Sequence, residues 1–354
     1  MAQAIGMATQ LAGNAVRFGW YSGINWLLAR QAQRIGKTAR YTPPSPVPTQ
    51  AELMADLRKL FLADALAVRE GLYPPAEPGE SFANHLRSVR AMFADLPATL
   101  NRRAARDATS AAEVSGAELL PDYYRQDFHF QTGGYLSEDS ARLYDAQVET
   151  LFYGSVGAMR RAGLRFIADH MRGRDQRRIE MLDVACGTGR FLREARLAYP
   201  AIRLKGLDLS KTYLQEARRH LQGLRAVDLI AADAEVMPLA NESQDIVTAI
   251  FLYHELPGEV RRRVTAEMAR VLKRGGLFVF IDSLQLGDRP GWDGLLEAFP
   301  VRFHEPYFAH YATDDLDAMF ASAGLAPQAT SHAFLSKVMV FRKQLSLTPP
   351  TSEC

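Results

Sequence analysis

Through residues 51–70 (AELMADLRKLFLADALAVRE) and 82–96 (FANHLRSVRAMFADL) apolar positions recur every three or four residues, the period that gathers them on one side of an α-helix. The break GLYPPAEPGE separates these two helices, and residues 51–175 read as mainly helical. From Ile179 the pattern changes to short apolar runs alternating with helical ones. IEMLDVA leads into GRFLREARLAY and IRLKGLDL into SKTYLQEARRHL; then come VDLIAAD, DIVTAIF with GEVRRRVTAEMARVLK, and GLFVFID. This alternation predicts an α/β fold, a doubly wound and mostly parallel sheet covered by helices on both faces. After Asp282 follow a loop-rich stretch to Tyr311, a helix DDLDAMFASAG stopped by Gly324, and the runs QATSHAF and SKVMVFRK. The last two are close enough to form an antiparallel hairpin at the sheet edge.

The first forty residues have a different texture. Their apolar stretches are interrupted by Arg17, Asn25 and Arg30, so no run is long enough to span a bilayer. The first cation comes after the apolar segment, which is the wrong order for a secretory signal. Five cations (Arg17, Arg30, Arg34, Lys37, Arg40) stand there without an acid, and removing them from the overall +2 leaves −3 for the rest of the chain. A mildly acidic body offers no footprint for nucleic acid. Trp20, Tyr21 and Trp26 beside those cations leave three readings open: a helix packed on the main domain, an amphipathic helix in peripheral contact with a membrane, or an acid-poor targeting segment. YTPPSPVPTQ (41–50) has four prolines and must be extended, as a linker or a strap. The chain has two cysteines, Cys186 and Cys354, too few for a disulfide framework, which fits a reducing, cytoplasmic compartment.

The chemistry gathers where strand IEMLDVA turns into a helix through Gly187 and Gly189. A turn at the carboxyl end of the first strand is the default ligand site of a doubly wound sheet. Leu192 occupies the place where a dinucleotide fingerprint has a third glycine or alanine, and no Gly-Lys-Ser/Thr follows, so phosphate is not the favoured ligand. Asp208, 21 residues after Gly187, ends the second strand, where an acid accepts both hydroxyls of a ribose. Asp233 ends the third, where a carboxylate can receive an exocyclic amine while Ala234 and Val236 line an apolar slot for a purine face.

These motifs resemble the class I S-adenosylmethionine-dependent methyltransferases, specifically the group that includes the ubiquinone and menaquinone C-methyltransferases. LDVACGTG is similar to the family's first motif, LDLS to its ribose-binding stretch, ADAEVMPLANESQDIV to its adenine segment, and RVLKRGGLFVFID to its entry into the fifth strand. The resemblance covers roughly residues 140–345. It implies a Rossmann-like fold of seven strands, the last antiparallel, and S-adenosyl-L-methionine as cofactor. It places Asp183, Gly187, Thr188 and Gly189 around the methionine, Asp208 at the ribose, and Asp233 with Ala234 at the adenine. Ala185, Leu209, Phe251 and Tyr135 are expected beside them. The chain then divides into a basic amphipathic helical segment (1–40), a proline-rich linker (41–50), a helical N-terminal region (51–140), the methyltransferase domain (141–345) and a tail (346–354).

The resemblance has gaps. The Arg-Asn pair that the quinone enzymes carry after strand four is absent, and FLYHELP stands there; the Asn/Asp-Pro-Pro-aromatic motif of nucleic-acid enzymes is also absent. Acceptor-side candidates are His254 and Glu255, just beyond strand four, with His254 equally readable as a structural hydrogen-bonding residue. FPVRFHEPYFAHY (299–311) adds His304 and Glu305 within a stretch readable as a lid, and QDFHFQTGGYLS (126–137) could form a second wall hinged at Gly133 and Gly134. No HxH or HExxH spacing calls for a metal. The expected activity is methylation of carbon or oxygen on a small, apolar, aromatic or lipid-like acceptor. A small-molecule amine, or a non-catalytic cofactor-binding protein with an assembly role, is the alternative.

Overall fold

The structure is a computed structural model and describes residues 2–35, 41–77 and 82–345. Lys37 and Arg40 of the expected basic segment and the tail 346–354 lie outside the described residues. The chain begins with the 34-residue helix α1 (Ala2–Ile35). Next comes α2 (Gln50–Arg69), whose start is fixed by a reciprocal cap in which the Thr49 hydroxyl accepts from the Glu52 N–H and the Glu52 carboxylate from the Thr49 N–H. α3 (Phe82–Ala105) follows. Between it and α4 (Glu138–Leu151) the expected helical texture gives way to short 3-10 turns from Ser110 to Phe130. That stretch carries buried aromatics, Phe128 and Phe130, without a helical period, and His129 and Phe130 both take left-handed backbone angles (φ 56° and 57°). The expected boundary at residue 140 falls inside α4.

After α5 (Val156–Met171) the sheet begins: β1 (Glu180–Val184), α6 (Arg190–Ala198), β2 (Arg203–Asp208), α7 (Lys211–His220), β3 (Asp228–Ala231), β4 (Gln244–Ile250), α8 (Gly258–Val271) and β5 (Leu272–Ser283). Helices α9 (Asp293–Arg302), α10 (Phe308–Tyr311) and α11 (Leu316–Ser322) precede β6 (Leu325–Ala333) and β7 (Ser336–Lys343). The seven strands lie in the order β3-β2-β1-β4-β5-β7-β6, with β1 to β5 parallel and β7 antiparallel to both neighbours. The final hairpin therefore places β7 inside the sheet and only β6 at the edge. Alternate residues of β5 feed the two cores: Val279 and Ile281 pack toward α5 and α6, Phe278 and Phe280 toward α8 and α11.

The N-terminal segment packs on the rest of the chain through a mixed face. In its first half Gln10 and Asn14 donate to the Asp64 carboxylate of α2 at 2.6 and 2.9 Å and Arg17 pairs with Glu149 of α4, while further along Tyr21 and Ile24 are buried in an apolar cluster with Val89, Met92 and Leu143. Arg161 of α5 meets the Asp64 carboxylate with two hydrogen bonds, of 2.8 and 2.9 Å. The proline stretch runs as a strap across α9, where the Gly294 N–H donates to Pro46 O and Ser45 donates twice to Glu297. A Cβ on Gly294 would sit 2.4 Å from Ser45 O, which accounts for glycine there.

Candidate functional site

A cleft of about 1040 Å³, open mouth included, lies beyond the carboxyl ends of β1, β2, β3 and β4. The strand order reverses between β1 and β4, so this is the topological switch point. At the end of β1, Ala185 turns left-handed (φ 54°), as does Phe251 after β4 (φ 56°), and both line the cleft. Such angles cost a non-glycine residue roughly 1–2 kcal/mol, strain of the kind stored at working sites. The two turn glycines divide their labour in a way the sequence did not reveal. Gly187 (φ 54°) lines the cleft, and an added Cβ would meet only Tyr213 at 4.0 Å. Gly189 (φ 74°) starts α6, and its missing Cβ makes room for Ala217 of α7, 2.9 Å away. Gly189 thus serves helix packing rather than ligand approach.

Three chemically distinct stations lie along the cleft. At the first, Asp183 accepts the Thr248 hydroxyl at 2.6 Å, and burial pushes its carboxyl up to about 7. Arg160 of α5 faces the same space, 9% exposed, and its guanidinium has no hydrogen-bond or ion-pair partner among the described residues. Nearby, the Thr188 hydroxyl and Arg190 both bond Asp145; burial would raise that carboxyl, but Arg190 and His220 hold it down at about 2. At the second, Asp208 accepts from the N–H groups of Gly187 and Ser210, both at 2.8 Å, with burial raising its carboxyl to about 6. Leu209 lines the cleft beside it. At the third, Asp233 and Ala234 stand with Leu256 and Val264. Val236, expected in this slot, is 76% exposed and outside it.

This donor set fits S-adenosylmethionine part by part. Asp183 with the unpartnered Arg160 complements the ammonium and carboxylate of an α-amino acid, Asp208 a ribose diol, and Asp233 in its apolar slot an adenine amine. The Arg160 guanidinium faces the cleft with its donors unspent on any described residue, ready to receive a ligand carboxylate, and this is the observation that carries the fit. Arg160 was not legible in the sequence, where it reads as one more cation of an amphipathic helix.

Tyrosines from outside the sheet close the cleft. Tyr135 stacks on Phe128 (ring centroids 5.2 Å, interplanar 9°) and meets Tyr144 and Tyr213 edge-on at 5.9 and 5.4 Å. Its carbonyl accepts the Ser210 hydroxyl at 2.7 Å, which ties this wall to the end of β2. Its own hydroxyl donates to Glu255 Oε1 at 2.5 Å. Glu255 also lines the cleft, and burial pushes its carboxyl up to about 7 against the pull of the neighbouring His254 cation.

Behind Glu255 stands His254, with Nε2 3.7 Å from Glu255 Oε1 and Nδ1 2.5 Å from Oδ1 of the fully buried Asp282. Burial alone would lower this imidazole, but Asp282 outweighs it and pushes the pKa up to about 10, so His254 is a cation at neutral pH. Glu305 joins the same cluster, yet neither of its oxygens makes a hydrogen bond; His129 Nε2 lies 3.2 Å from Oε1 without the geometry of one. Burial raises the Glu305 carboxyl well above the carboxylate range and drops His129 to about 3, so both are neutral. His304 is placed elsewhere. Its Nε2 bonds Gln126 at 2.7 Å and its ring packs on Phe130, so it fastens the 299–311 stretch to the 126–137 wall. Of the four acceptor-side candidates, Glu255 lines the cleft, His254 and Glu305 stand behind it, and His304 is a structural contact. Among the described residues no group of these side chains forms a metal-ligand set.

Comparison with known proteins agrees with this geometry. Residues 181–276 match the family described as a methyltransferase domain. The malonyl-[acyl-carrier protein] O-methyltransferase of Methylococcus capsulatus is 34% identical over 28% of this chain and 36% of its own. The demethylmenaquinone methyltransferase of Listeria welshimeri is 33% identical over 39% and 58%, and the phthiotriol/phenolphthiotriol dimycocerosates methyltransferase of Mycobacterium tuberculosis 34% over 35% and 44%. The chain thus spans between about a third and three fifths of the length of these curated relatives. Among solved structures, the geranyl diphosphate C-methyltransferase of Streptomyces coelicolor aligns at 15% identity, covering 57% of this chain and 84% of that one, with a TM-score of 0.40.

Proposed function

We propose that the class I S-adenosylmethionine-dependent methyltransferase domain of this chain methylates carbon or oxygen on a small apolar acceptor, aromatic or lipid-like. Bound S-adenosylmethionine supplies a methyl group already activated on a sulfonium, so the protein has to align an acceptor, exclude water and manage one proton. Glu255 carries this reading. It is a carboxyl on the cleft wall among aromatic rings, with a pKa near 7, where a general base takes a proton from a phenol or an enolisable carbon at neutral pH. The Tyr135 hydroxyl holds Oε1, and Oε2 makes no hydrogen bond among the described residues. The His254 cation, fixed by Asp282, stabilises the ionised form from behind. Two of the relatives are named for a quinone and a lipid acceptor, which supports an apolar one. Such an acceptor partitions into lipid, so the reading includes work at a membrane surface, although no helix among the described residues is long and apolar enough to cross one.

Calorimetry with S-adenosylmethionine and S-adenosylhomocysteine tests the cofactor half. Hydrogen bonds to a charged group contribute about 1.5–3 kcal/mol each, so losing two in Asp208→Ala lowers affinity by on the order of 10²- to 10⁴-fold. Absence of binding, or an unchanged affinity in the variant, overturns it. The acceptor is sought as a one-methyl mass difference between metabolites of a deletion strain and its parent. With that acceptor, Glu255→Gln keeps cofactor affinity and loses about 10²- to 10⁴-fold in turnover. An unchanged rate removes Glu255 as the base, and a methylated polar amine replaces the acceptor class. Binding without any S-adenosylhomocysteine produced from cell extracts would make the protein non-catalytic.

A further inference from the structure

We infer that the outward face of α1 docks on an anionic lipid bilayer. The helix already has an inward face. At three- and four-residue steps, Gln10, Asn14 and Arg17 face inward onto Asp64 and Glu149, and Tyr21 and Ile24 continue that face into an apolar cluster with Val89, Met92 and Leu143. The opposite stripe carries Ile5 (60% exposed), Val16 (71%) and Leu27 (48%), successive members three turns apart, and is bordered by Trp20, whose indole N–H bonds His85 of α3 and whose ring packs on Phe82. Three glycines on the outer half, Gly13, Gly19 and Gly23, would meet nothing within 4 Å if given a Cβ, so no described residue lies over these positions. The inward face is already committed to the Asp64 network, so the helix cannot turn its apolar stripe into the protein without abandoning those bonds.

Charge selects the occupant. The stripe ends in Arg30 and Arg34, both exposed, and residues 1–51 contain no acid. A second copy packed in parallel would set these arginines against their equivalents, and an antiparallel one would lay them on the uncharged Ile5 end; neither arrangement offers a carboxylate. An anionic headgroup layer satisfies both ends of the helix. Aliphatic side chains enter the acyl boundary, the cations meet lipid phosphates, and tryptophans sit at headgroup depth. Trp26 is 56% exposed on the flank of the stripe, with the Arg30 guanidinium 4.7 Å from its ring centre. At 1.5 Å per residue the helix is about 50 Å long, which suits it to lie flat on the surface.

The inference names the surface through which the chain meets lipid and does not depend on which atom is methylated. The test is flotation of the full chain with vesicles of phosphatidylcholine alone and of phosphatidylcholine with phosphatidylglycerol. Two double variants accompany it, Val16→Ser/Leu27→Ser and Arg30→Gln/Arg34→Gln, all at exposed positions. Circular dichroism and S-adenosylmethionine calorimetry run beside them, so a failure of the lipid surface is told apart from a failure of the fold or of the cofactor reading. The full chain is expected to float with the anionic vesicles. Each cation near such a surface contributes about 1 kcal/mol, so the arginine pair accounts for roughly thirtyfold in partitioning, lost in its variant, in high salt and on neutral vesicles. The serine pair is expected to abolish flotation. No flotation on any vesicle, equal flotation of the variants, or a dimer in sedimentation that Val16→Ser/Leu27→Ser dissolves would overturn the inference.

Discussion

Asp64→Ala tests what holds the N-terminal helices to the sheet. The Asp64 carboxylate, 3% exposed, accepts from Gln10 and Asn14 of α1, from the Tyr73 hydroxyl at 3.0 Å, and twice from Arg161 of α5. Removing it leaves the Arg161 guanidinium, with its side chain 6% exposed, on Glu194 alone. Breaking a buried pair by deleting one partner costs about 3–5 kcal/mol, and the retained Glu194 argues for the lower part of that range. Gln10, Asn14 and Tyr73 each lose an acceptor, worth about 1 kcal/mol apiece where water cannot replace it. The expected total is therefore about 3–6 kcal/mol, the upper end applying where water replaces none of the three lost acceptors, read as a fall in the urea midpoint followed by tryptophan emission. Trp20 and Trp26 report on α1 and Trp292 on the sheet side, so the variant should release the first signal at lower urea than the second. Acid should do the same. Although burial opposes it, Arg161 and the surrounding donors hold the Asp64 carboxyl below its ordinary value. Its contribution is present above the unfolded pKa and is lost as pH falls through the folded one, so α1 should loosen first on acidification. A loss under about 1 kcal/mol, or coincident signals, would refute the idea that this carboxylate is the anchor.

Cofactor affinity should rise as pH climbs through 6 and 7, because Asp208 and Asp183, raised to about 6 and 7, receive a ribose and an ammonium only when ionised; calorimetry showing a flat affinity would contradict this. The same upward shifts mean that the cofactor-free protein loses stability as pH rises from about 4, where the unfolded carboxylates release their protons, up to 6 and 7, where the folded ones do, since in that window the folded state holds protons the unfolded chain has released. Gly189→Ala combines a left-handed angle, about 1–2 kcal/mol, with a Cβ 2.9 Å from Ala217, whereas Gly187→Ala meets only Tyr213 at 4.0 Å. The first should lower the thermal midpoint more, and the second should weaken cofactor binding more; equal losses in both assays would contradict the division. Arg160→Met should leave stability unchanged or improved, and weaken S-adenosylmethionine at least about tenfold while sparing adenosine. A variant that loses both ligands alike would remove Arg160 from the methionine end.

What the sequence made legible in the site is what lies close along the chain. The turn at Gly187, Asp208 on the next strand and Asp233 on the one after belong to consecutive strand–helix units of a parallel sheet, where a strand's carboxyl end is a functional address. Arg160 precedes β1 on a helix with its own apolar period, and nothing local separates it from Arg161, which is spent on Asp64 and Glu194. Tyr135 was expected beside the cofactor, but its grip on Glu255 joins residues 120 apart and arises only in the folded molecule. Gly189 misled for the same reason, since its constraint comes from Ala217, a residue of another helix.

The first helix shows a limit of a different kind. Reading apolar positions as inward assumes that burial is driven by area, and the stretch from Gln10 to Arg17 reverses that assumption because a buried charge outbids it, whereas Tyr21 and Ile24 further along obey it. Arg161 brings a cation into the junction of α2, α5 and α6, Asp64 answers it, and the carboxylate's remaining lone pairs need donors that only a polar helix face can bring. Turned over, α1 would offer Ile5, Val16 and Leu27 to that carboxylate, leaving its oxygens unmet at about 1–3 kcal/mol or more, charged groups lying at the upper end. The orientation of α1 is thus set jointly by that carboxylate and by the burial of Tyr21 and Ile24, and Ile5, Val16 and Leu27 are left outside as the consequence. That is why the anchoring experiment and the vesicle experiment address opposite faces of the same helix. A chain in which Asp64→Ala freed α1 to rotate would hide the stripe, and it should lose vesicle binding although no residue of the outer face had changed.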